Sequence, residues 1–255
     1  MRAAKMGLYR LLQKLGLLPS LWMIRSPIKI HEFVKLVGGA RLAPEHVALD
    51  LGCGKALQTQ LLARRCRKVI GIDISEKRLQ AARQLLEGSP LESKVELVSA
   101  RIQDARLPAA SLDRVFSFCV LEHIPELAEV LAELYRLLKP GGEMHVSVDS
   151  LGSIDDPALL ARHRREHAVH QYFTPDSLRR QLEEARFEVL EISPILTSRF
   201  SHDEFVSRIS EPDYGYGFLG SALRYRKLRR HETSDGGAKG IMLIARARRP
   251  GGPGA

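Results

Sequence analysis

Short apolar runs alternate with helical patterns through the middle of the chain. Five mostly apolar runs have the length of buried strands and lie at 47–51, 68–73, 95–98, 114–119 and 144–148. Between them, leucines recur at helical spacing, at 57, 61 and 62 and again from 127 to 138. Strands that alternate with helices are typical of a parallel sheet that helices cover on both faces.

Capping signals mark where other helices begin. Ser75 stands directly before one helical stretch, and Thr174 with Pro175 is typical of an N-cap followed by the first helical residue. Two further strands are predicted after the second of these helices, at 187–192 and 240–245. We therefore predict an α/β fold with a doubly wound, mostly parallel, seven-stranded sheet and helices on both faces.

Composition restricts the class of protein. The chain has 255 residues, 44% of them hydrophobic, which is enough to bury the core of one large domain. No apolar run approaches the roughly 20 residues that a membrane-spanning helix needs. Cys53, Cys66 and Cys119 are an odd number without C-x-x-C spacing, which suits a reducing compartment. The basic N-terminus has no small-residue cleavage signature, so we expect a cytoplasmic protein.

A glycine-containing turn follows the first predicted strand. Asp50, Gly52 and Gly54 lie at alternate positions there, at the sheet edge where doubly wound folds bind ligands. A dinucleotide-binding fingerprint would have a further glycine at position 57, where this chain has Leu57, so an NAD site is disfavoured. The chain also has no G-x-x-x-x-G-K-[ST] loop for a nucleoside triphosphate.

This turn resembles motif I of the class I S-adenosylmethionine-dependent methyltransferases, an acid followed by glycines at alternate positions, with Ala56 in place of the third glycine. Further segments resemble the small-molecule and lipid branch, the methyltransferase type 11-like proteins, in the same order. They are Gly71–Ser75, Phe118–Ile124, Leu137–Gly142 and Tyr172–Pro175. The matches cover roughly residues 44–193. The resemblance implies a Rossmann-like fold and S-adenosyl-L-methionine as the cofactor.

The resemblance also implies which residues hold that cofactor. In the family, the acid at the place of Asp73 bonds the ribose hydroxyls, and a carboxylate is the right acceptor for two O–H donors. The acid that takes the adenine amino group is ambiguous, because alignment places either Arg101 or Asp104 there, and we expect Ile102 against the ring. The expected cofactor-binding residues are Asp50, Gly52, Cys53, Gly54, Asp73, Ile74, Ile102, Asp104 and Cys119.

His123 is the candidate catalytic residue. It lies just after the fourth predicted strand, and a histidine with a near-neutral pKa can act as general base towards a hydroxyl acceptor. Position alone makes Glu122, Asp149, His170 and Tyr172 weaker candidates. The run 163–167 matches the H-x-x-E-H pattern of inverted zinc proteases, but a charge-dense helix meets so short a pattern by chance. We therefore predict no metal site.

The formal net charge of +9 lies mainly on the flanks of the predicted core. Residues 1–40 carry seven Lys and Arg against Glu32 alone, with leucines at helical spacing. Such a segment predicts either a lid over the cofactor site or a peripheral contact of residues 1–30 with an anionic membrane. The long insertion at 194–239 contains aromatic and basic residues, including the cluster 224–230. Such a segment can bind RNA, line an apolar pocket or form a helix with a solvated basic face.

These observations divide the chain into five predicted parts. They are an N-terminal basic amphipathic helical cap at 1–43, the cofactor-binding core at 44–193, a substrate-side insertion at 194–239, a final core strand at 240–247 and a disordered tail at 248–255. The predicted function is methyl transfer to an oxygen or nitrogen of a small-molecule or lipid-like acceptor.

Two alternatives remain open. One is a non-catalytic binding protein of the same fold, whose cofactor affinity Ala56 and Arg101 weaken. The other is an RNA methyltransferase that uses the basic flanks. Nucleic acid is the less favoured partner. Enzymes that methylate the amino groups of bases carry a proline-rich tetrapeptide after the fourth strand, and this chain has residues 119–122 there, without a proline.

Overall fold

The computed structural model describes residues 2–209, 215–234 and 237–251, apart from the side chains of residues 2–6 and 14. Within these ranges, seven strands form one sheet in the order β3-β2-β1-β4-β5-β7-β6. The strands are β1 Val47–Leu51, β2 Lys68–Asp73, β3 Val95–Ser99, β4 Leu112–Phe118, β5 Leu138–Asp149, β6 Glu188–Ile195 and β7 Met242–Arg248. Neighbours among β1 to β5 are parallel, and β7 is antiparallel to both β5 and β6. The predicted α/β fold class is confirmed.

Helices cover both faces of this sheet. They are α1 Arg2–Lys14, α2 Pro27–Gly38, α3 Leu57–Ala63, α4 Glu76–Leu86, α5 Leu127–Leu137, α6 Pro157–Glu166, α7 Pro175–Glu184, α8 Arg199–Val206 and α9 Phe218–Ser234. Short 3₁₀ turns occupy Leu21–Ile24, Glu92–Lys94, Ile102–Asp104 and Leu121–His123. None of the helices in the described ranges is long and apolar enough to cross a bilayer.

The alternation of side chains along β1 divides the core into two layers. Val47, Leu49 and Leu51 point into the layer that α5 and α7 complete, whereas Ala48 points into the layer completed by α2 and α3. Successive side chains of a strand face opposite sides of the sheet, so a fully apolar strand needs a helical cover on each side. This explains why β1 is an unbroken buried run.

The predicted caps are present. Ser75 Oγ accepts a hydrogen bond from Arg78 N at the start of α4, and Thr174 forms a capping box with Ser177 at the start of α7. Pro175 occupies the first turn of α7, where its missing N–H is not needed.

Several boundaries differ from the sequence-based expectation. β5 begins at Leu138 and not at 144, because residues 139–142 are themselves part of the strand, and Leu138 pairs with Leu112. β7 extends to Arg248, and Arg249 N donates to Gly142 O at 2.9 Å. The start of the predicted tail therefore pairs with β5, and residues 252–255 lie outside the described residues.

The two flanking segments pack on each other. Tyr216 N and Ser221 Oγ both donate to Arg25 O, at 3.0 and 2.8 Å, and the rings of Trp22 and Tyr225 lie 6.1 Å apart. The N-terminal segment and the insertion thus form one cover. An apolar cluster that includes Ile28 and Met242 joins this cover to the sheet.

Ala56 adopts a conformation that favours glycine. It stands directly before α3 with φ 57° and ψ 32°, in the left-handed region, and its side chain is buried. A Cβ atom in this region raises the energy by about 1–2 kcal/mol. Although alanine replaces the third glycine of the motif, the backbone keeps the left-handed conformation that glycine favours.

We expect Ala56→Gly to change the free energy of unfolding by less than about 1 kcal/mol, because relief of backbone strain offsets the lost methyl group and the greater freedom of the unfolded chain. Ala82→Gly, at a buried site within α4, is the matched control and should lower that free energy by about 2 kcal/mol. Urea unfolding of both variants measures the difference. Equal losses would show that Ala56 is not strained.

Candidate active site

The turn after β1 is fixed to the end of β2. The N–H groups of Gly52 and Cys53 donate to Ile72 O at 2.7 and 3.0 Å. Gly52 and Gly54 have φ angles of 73° and 55°, which glycine adopts without strain. A Cβ atom at Gly52 would overlap the side chain of Val120, so this glycine allows the segment after β4 to pack on the turn.

Asp73 ends β2 beside this turn. Its Oδ2 accepts a hydrogen bond from Gly54 N and its Oδ1 accepts one from Ser75 N, both at 2.8 Å. Each carboxylate oxygen has further acceptor capacity, so two donors from a ligand can still bind. The neighbouring Ile74 is 78% exposed, which is unusual for a large apolar side chain next to a buried strand. A fixed carboxylate and an exposed apolar surface thus lie side by side.

Asp50 supports the turn from inside. Its side chain is buried and accepts a hydrogen bond from Thr59 Oγ1 at 2.6 Å. Burial raises its pKa from 3.8 to about 7, and the negative charge of Asp73 adds to the effect. The structure gives Asp50 a role in shaping the turn, whereas its direct contact with the cofactor stays a prediction.

Other predicted cofactor residues point into the protein. Cys53 is buried against Gly71 of β2, and burial raises the pKa of its thiol. Ile102 is 2% exposed within the core, so in this conformation its side chain offers almost no surface to an adenine ring. Asp104 is exposed, and Arg101 pairs instead with Glu126 at 3.6 Å. Contacts of Cys53, Ile102 and Asp104 with the cofactor stay predictions.

A buried polar cluster lies at the ends of β4 and β5. Lys29 Nζ pairs with Glu32 Oε2 at 2.6 Å, and Glu32 Oε1 accepts from Ser147 Oγ at 2.5 Å and from Cys119 Sγ at 3.2 Å. Cys119, a predicted cofactor residue, has φ 52° and takes part in this cluster. Sequence reasoning missed Lys29 and Glu32, although Glu32 is the single acid among the first 40 residues.

Glu122 belongs to the same cluster. Its side chain is fully buried, and neither carboxylate oxygen has a hydrogen-bond partner among the described residues. Burial raises its pKa well above the usual value, and burial likewise raises the pKa of Asp149. Burial thus favours the protonated form of both acids.

The described residues contain one group with the composition of a cation site. Side-chain ligand atoms of Cys119, Glu122 and Asp149 lie within 4.8 Å of one another. Each would have to lose its proton to bind a cation, and burial opposes that loss. The rings of His163 and His167 are tilted by 32° with centroids 4.5 Å apart, and neither residue is part of any such group in the described ranges.

A cavity of about 490 Å³ opens beside the glycine turn. Its lining residues come from the N-terminal segment, the turn, α6, the α8 region and β7. They are Met23, Ile24, Arg25, Ser26, Ile28, Lys29, Lys55, Leu57, His163, His167, Phe205, Arg208, Ile209, Gly215 and Met242. Residues of the segment predicted to be a lid thus line the cavity together with residues of α6.

His163 is the buried titratable group of the α6 wall. Tyr172 OH donates to Leu160 O at 3.2 Å, so its oxygen accepts from His163 Nδ1 at 3.0 Å, which assigns the ring proton to Nδ1. Nε2 is then an acceptor, 3.8 Å from Asp149 Oδ2. Burial lowers the pKa of His163 to about 4, so the ring is neutral at pH 7.

Backbone hydrogen bonds place Tyr172 beside His163. His170 N and Gln171 N donate to Glu122 O at 2.8 and 3.1 Å, and Phe173 N donates to Asp149 O at 3.0 Å. These bonds tie the segment after α6 to the ends of β4 and β5. The predicted base, His123, is exposed, with Nδ1 3.3 Å from Ala168 O, and is not among the cavity-lining residues.

Comparison with known proteins identifies the family. A family model described as a methyltransferase domain matches residues 49–146. A ubiquinone biosynthesis O-methyltransferase from Azoarcus sp. is 30% identical over 176 residues, which cover 65% of this chain and 74% of that protein. The chain belongs to the class I S-adenosylmethionine-dependent methyltransferases.

Other methyltransferase-fold proteins are more distant or longer. An arsenite methyltransferase from Halobacterium salinarum is 29% identical over 193 residues, which cover 74% of this chain and 48% of that protein. The chain therefore spans only about half the length of that relative. The solved structure of the [4+2]-cyclase SpnF matches with a TM-score of 0.65 and 19% identity, over 87% of this chain and 81% of that one. That likeness concerns the fold and leaves the reaction open.

The described residues fit the cofactor of this methyltransferase family. Asp73 is a fixed carboxylate with free acceptor capacity, and Ile74 supplies the exposed apolar surface beside it. A Cβ atom at Gly54 would meet nothing closer than Arg78 Cδ at 4.0 Å, so the surface above this glycine is open. Gly54, the largely buried Asp73 and the exposed Ile74 thus lie together at the strand ends.

We expect Asp50→Asn to flatten the pH dependence of stability. Because the pKa of Asp50 is about 7 when folded and 3.8 ordinarily, the folded state keeps a proton that the unfolded state releases above about pH 4. The free energy of unfolding therefore falls between pH 4 and 7, by roughly 2–4 kcal/mol from this residue. The amide cannot ionise but still accepts from Thr59.

Urea unfolding at pH 5 and pH 8 measures this effect, with the exposed Asp155→Asn as control. Asp50→Asn should lose less stability between the two pH values than the native chain, and the control should match the native chain. If both variants match the native chain, Asp50 ionises freely in the fold.

Proposed function

We propose that the protein transfers a methyl group from S-adenosylmethionine to an oxygen or nitrogen of a small-molecule or lipid-like acceptor. The observation that carries this proposal is the position of the 490 Å³ cavity. Lys55 and Leu57 of the glycine turn form one of its walls, and His163 and His167 form another. One cavity thus adjoins both the glycine turn and the imidazoles of His163 and His167, of which His163 is buried.

The cofactor supplies a methyl group already activated on a sulfonium, so the protein mainly positions the acceptor and excludes water. The cavity lining suits both tasks. Seven of its residues are apolar: Met23, Ile24, Ile28, Leu57, Phe205, Ile209 and Met242. Such a lining favours an acceptor with an apolar body. The relative from Azoarcus sp. is named an O-methyltransferase, which supports an oxygen nucleophile here.

His163 is the better-placed group to accept a proton from a hydroxyl. Its Nε2 is an acceptor in the tautomer fixed by Tyr172, and the ring lines the cavity. Nε2 carries no proton in this tautomer, so it can take up the proton that the acceptor hydroxyl loses, and Asp149 Oδ2 lies 3.8 Å from it. His123 stays the candidate predicted from its position after the fourth strand, and it is more exposed than His163.

The two alternatives lead to different observations. A non-catalytic binding protein would fold normally and transfer no methyl group. An RNA methyltransferase would need its basic residues near the reacting groups, yet residues 224–230 lie on α9 and do not line the cavity. The position of the cavity favours a small acceptor over RNA.

Asp73→Asn should weaken the binding of S-adenosylmethionine by about 10- to 100-fold, because the loss of one charge-assisted hydrogen bond is worth about 1.5–3 kcal/mol. Asp176→Asn, an exposed acid of α7, is the control and should bind as the native chain does. Calorimetric titration with S-adenosylmethionine and S-adenosylhomocysteine, and with NAD as a negative ligand, measures both. A folded native chain that binds neither sulfur nucleoside would overturn the proposal.

His163→Gln should lower kcat by a factor on the order of 10² to 10⁴, the usual contribution of a general base. Cofactor affinity should stay within about twofold, because the ring touches the acceptor side of the cavity. A panel of phenols, catechols and long-chain alcohols is first screened for an accepted substrate. The rate of S-adenosylhomocysteine release with that substrate then gives kcat. His123→Gln is measured beside it. If only His123→Gln loses activity, the base is His123, and the role of His163 is disproved.

A further inference from the structure

Exposed large apolar side chains concentrate in two segments of the protein. Among the described residues, nine such side chains are exposed, and seven of them belong to α1 with the chain just after it or to the first half of α9. The seven are Leu8, Leu11, Leu15, Leu17, Phe218, Leu219 and Leu223, each more than half exposed. Single exposed leucines are ordinary, but a concentration of this kind marks an interaction surface.

Both segments contact the cavity wall formed by residues 23–25. Tyr9 OH of α1 lies 3.9 Å from Met23 Sδ. Ser221 Oγ, near the start of α9, donates to Arg25 O at 2.8 Å. The helices that carry the exposed apolar residues are therefore both attached to the N-terminal wall of the cavity.

The leucines of α1 form an outward row. Leu8, Leu11 and Leu15 are spaced at three and four residues, so they share one face of the helix. The opposite face holds the helix to the domain, since Gln13 is buried and its Nε2 donates to Leu85 O at 3.0 Å. The helix is thus anchored by its polar side and presents its apolar side outward, the reverse of an ordinary surface helix.

The outer face of α9 continues from apolar to basic. Leu219, Leu223, Arg226 and Arg230 are spaced at four, three and four residues and are all exposed. Arg226, Arg229 and Arg230 form no ion pair with any described residue. Lys227 adds a further positive charge on this side.

No acid of α9 balances these charges. Its one acid, Glu232, faces inward and accepts from Ser198 Oγ and Ser201 Oγ, both at 2.6 Å. A face that carries leucines at one end and unbalanced arginines at the other complements the interface of an anionic bilayer. There, apolar side chains enter the acyl boundary and basic side chains meet the headgroups.

We propose that α1 and the outer face of α9, both of which contact the N-terminal wall of the cavity, form a docking surface for a membrane with anionic lipids. This docking surface comprises Leu8, Leu11, Leu15, Leu17, Phe218, Leu219, Leu223, Arg226, Lys227, Arg229 and Arg230. Docking requires neither cofactor nor turnover. Docking would also present the cavity to acceptors dissolved in the bilayer, and this further role rests on the proposed function.

Sedimentation of the full-length chain with vesicles tests the proposal. Vesicles of pure phosphatidylcholine are compared with vesicles that contain 30% phosphatidylglycerol, at low and at high salt. We expect at least tenfold tighter binding to the anionic vesicles and weaker binding at high salt, because headgroup attraction is screened. Equal binding to both vesicle types, or binding to neither, would overturn the proposal.

Paired variants locate the contact. Arg226→Gln with Arg230→Gln should weaken anionic-vesicle binding about 30-fold, since each basic side chain contributes about 1 kcal/mol at such a surface. Arg179→Gln with Arg180→Gln removes two exposed arginines of α7 and should change binding less than twofold. Leu219→Ser with Leu223→Ser should weaken binding at least tenfold while circular dichroism and calorimetric binding of S-adenosylmethionine stay native.

Other occupants of the surface give different results. If the leucine variants abolish a dimer seen by analytical ultracentrifugation and vesicles do not bind, the surface belongs to a second copy of the chain. If the arginine variants lose affinity for a single-stranded RNA of 20 nucleotides and vesicles do not bind, it belongs to RNA. Either result overturns membrane docking. Neither depends on methyl transfer, so failure of this proposal is distinct from failure of the proposed function.

Discussion

The arrangement of the site depends on the hydrogen bonds that join the turn after β1 to the end of β2. The N–H groups of Gly52 and Cys53 donate to Ile72 O, and the N–H of Gly54 donates to the Asp73 carboxylate. Neighbouring parallel strands end at one edge of the sheet, and these bonds fix the shape of that edge before a ligand arrives. Asp73 is therefore a structural residue of the turn as well as the expected ribose acceptor.

The cluster at the ends of β4 and β5 has a different character, because it buries acidic groups whose desolvation must be compensated. Glu122 is buried without a hydrogen-bond partner among the described residues, and Glu32 relies on Lys29 and Ser147 to compensate its burial. Buried acids lower the free energy of unfolding unless they are paired or protonated. Their concentration beside the cavity, with the apolar core on both faces of the sheet intact, is the distribution typical of a functional site.

The sequence predicted the sheet well because its signals are local. Apolar runs, the Ser75 and Thr174 caps and the glycine turn depend on neighbouring residues, and all appear in the structure. The site was predicted less completely, because its contacts join distant segments. Ser147 meets Glu32 across 115 positions, and no periodicity reveals such a pair. The sequence also could not predict that the side chains of Cys53 and Ile102 point into the protein, because a motif position indicates proximity to the site but not the direction of the side chain.

The insertion that carries α8 and α9 leaves and re-enters the sheet at one point. Ile195 at the end of β6 pairs directly with Met242 at the start of β7, so residues 196–241 form the loop of a β-hairpin. The register of a strand pair with a buried face is set by the hydrophobic pattern of its strands. A long insertion therefore leaves the pairing of β6 with β7 in place. The inserted residues contribute part of the cavity wall, whereas the strand ends that bear Gly54 and Asp73 come from other segments of the chain.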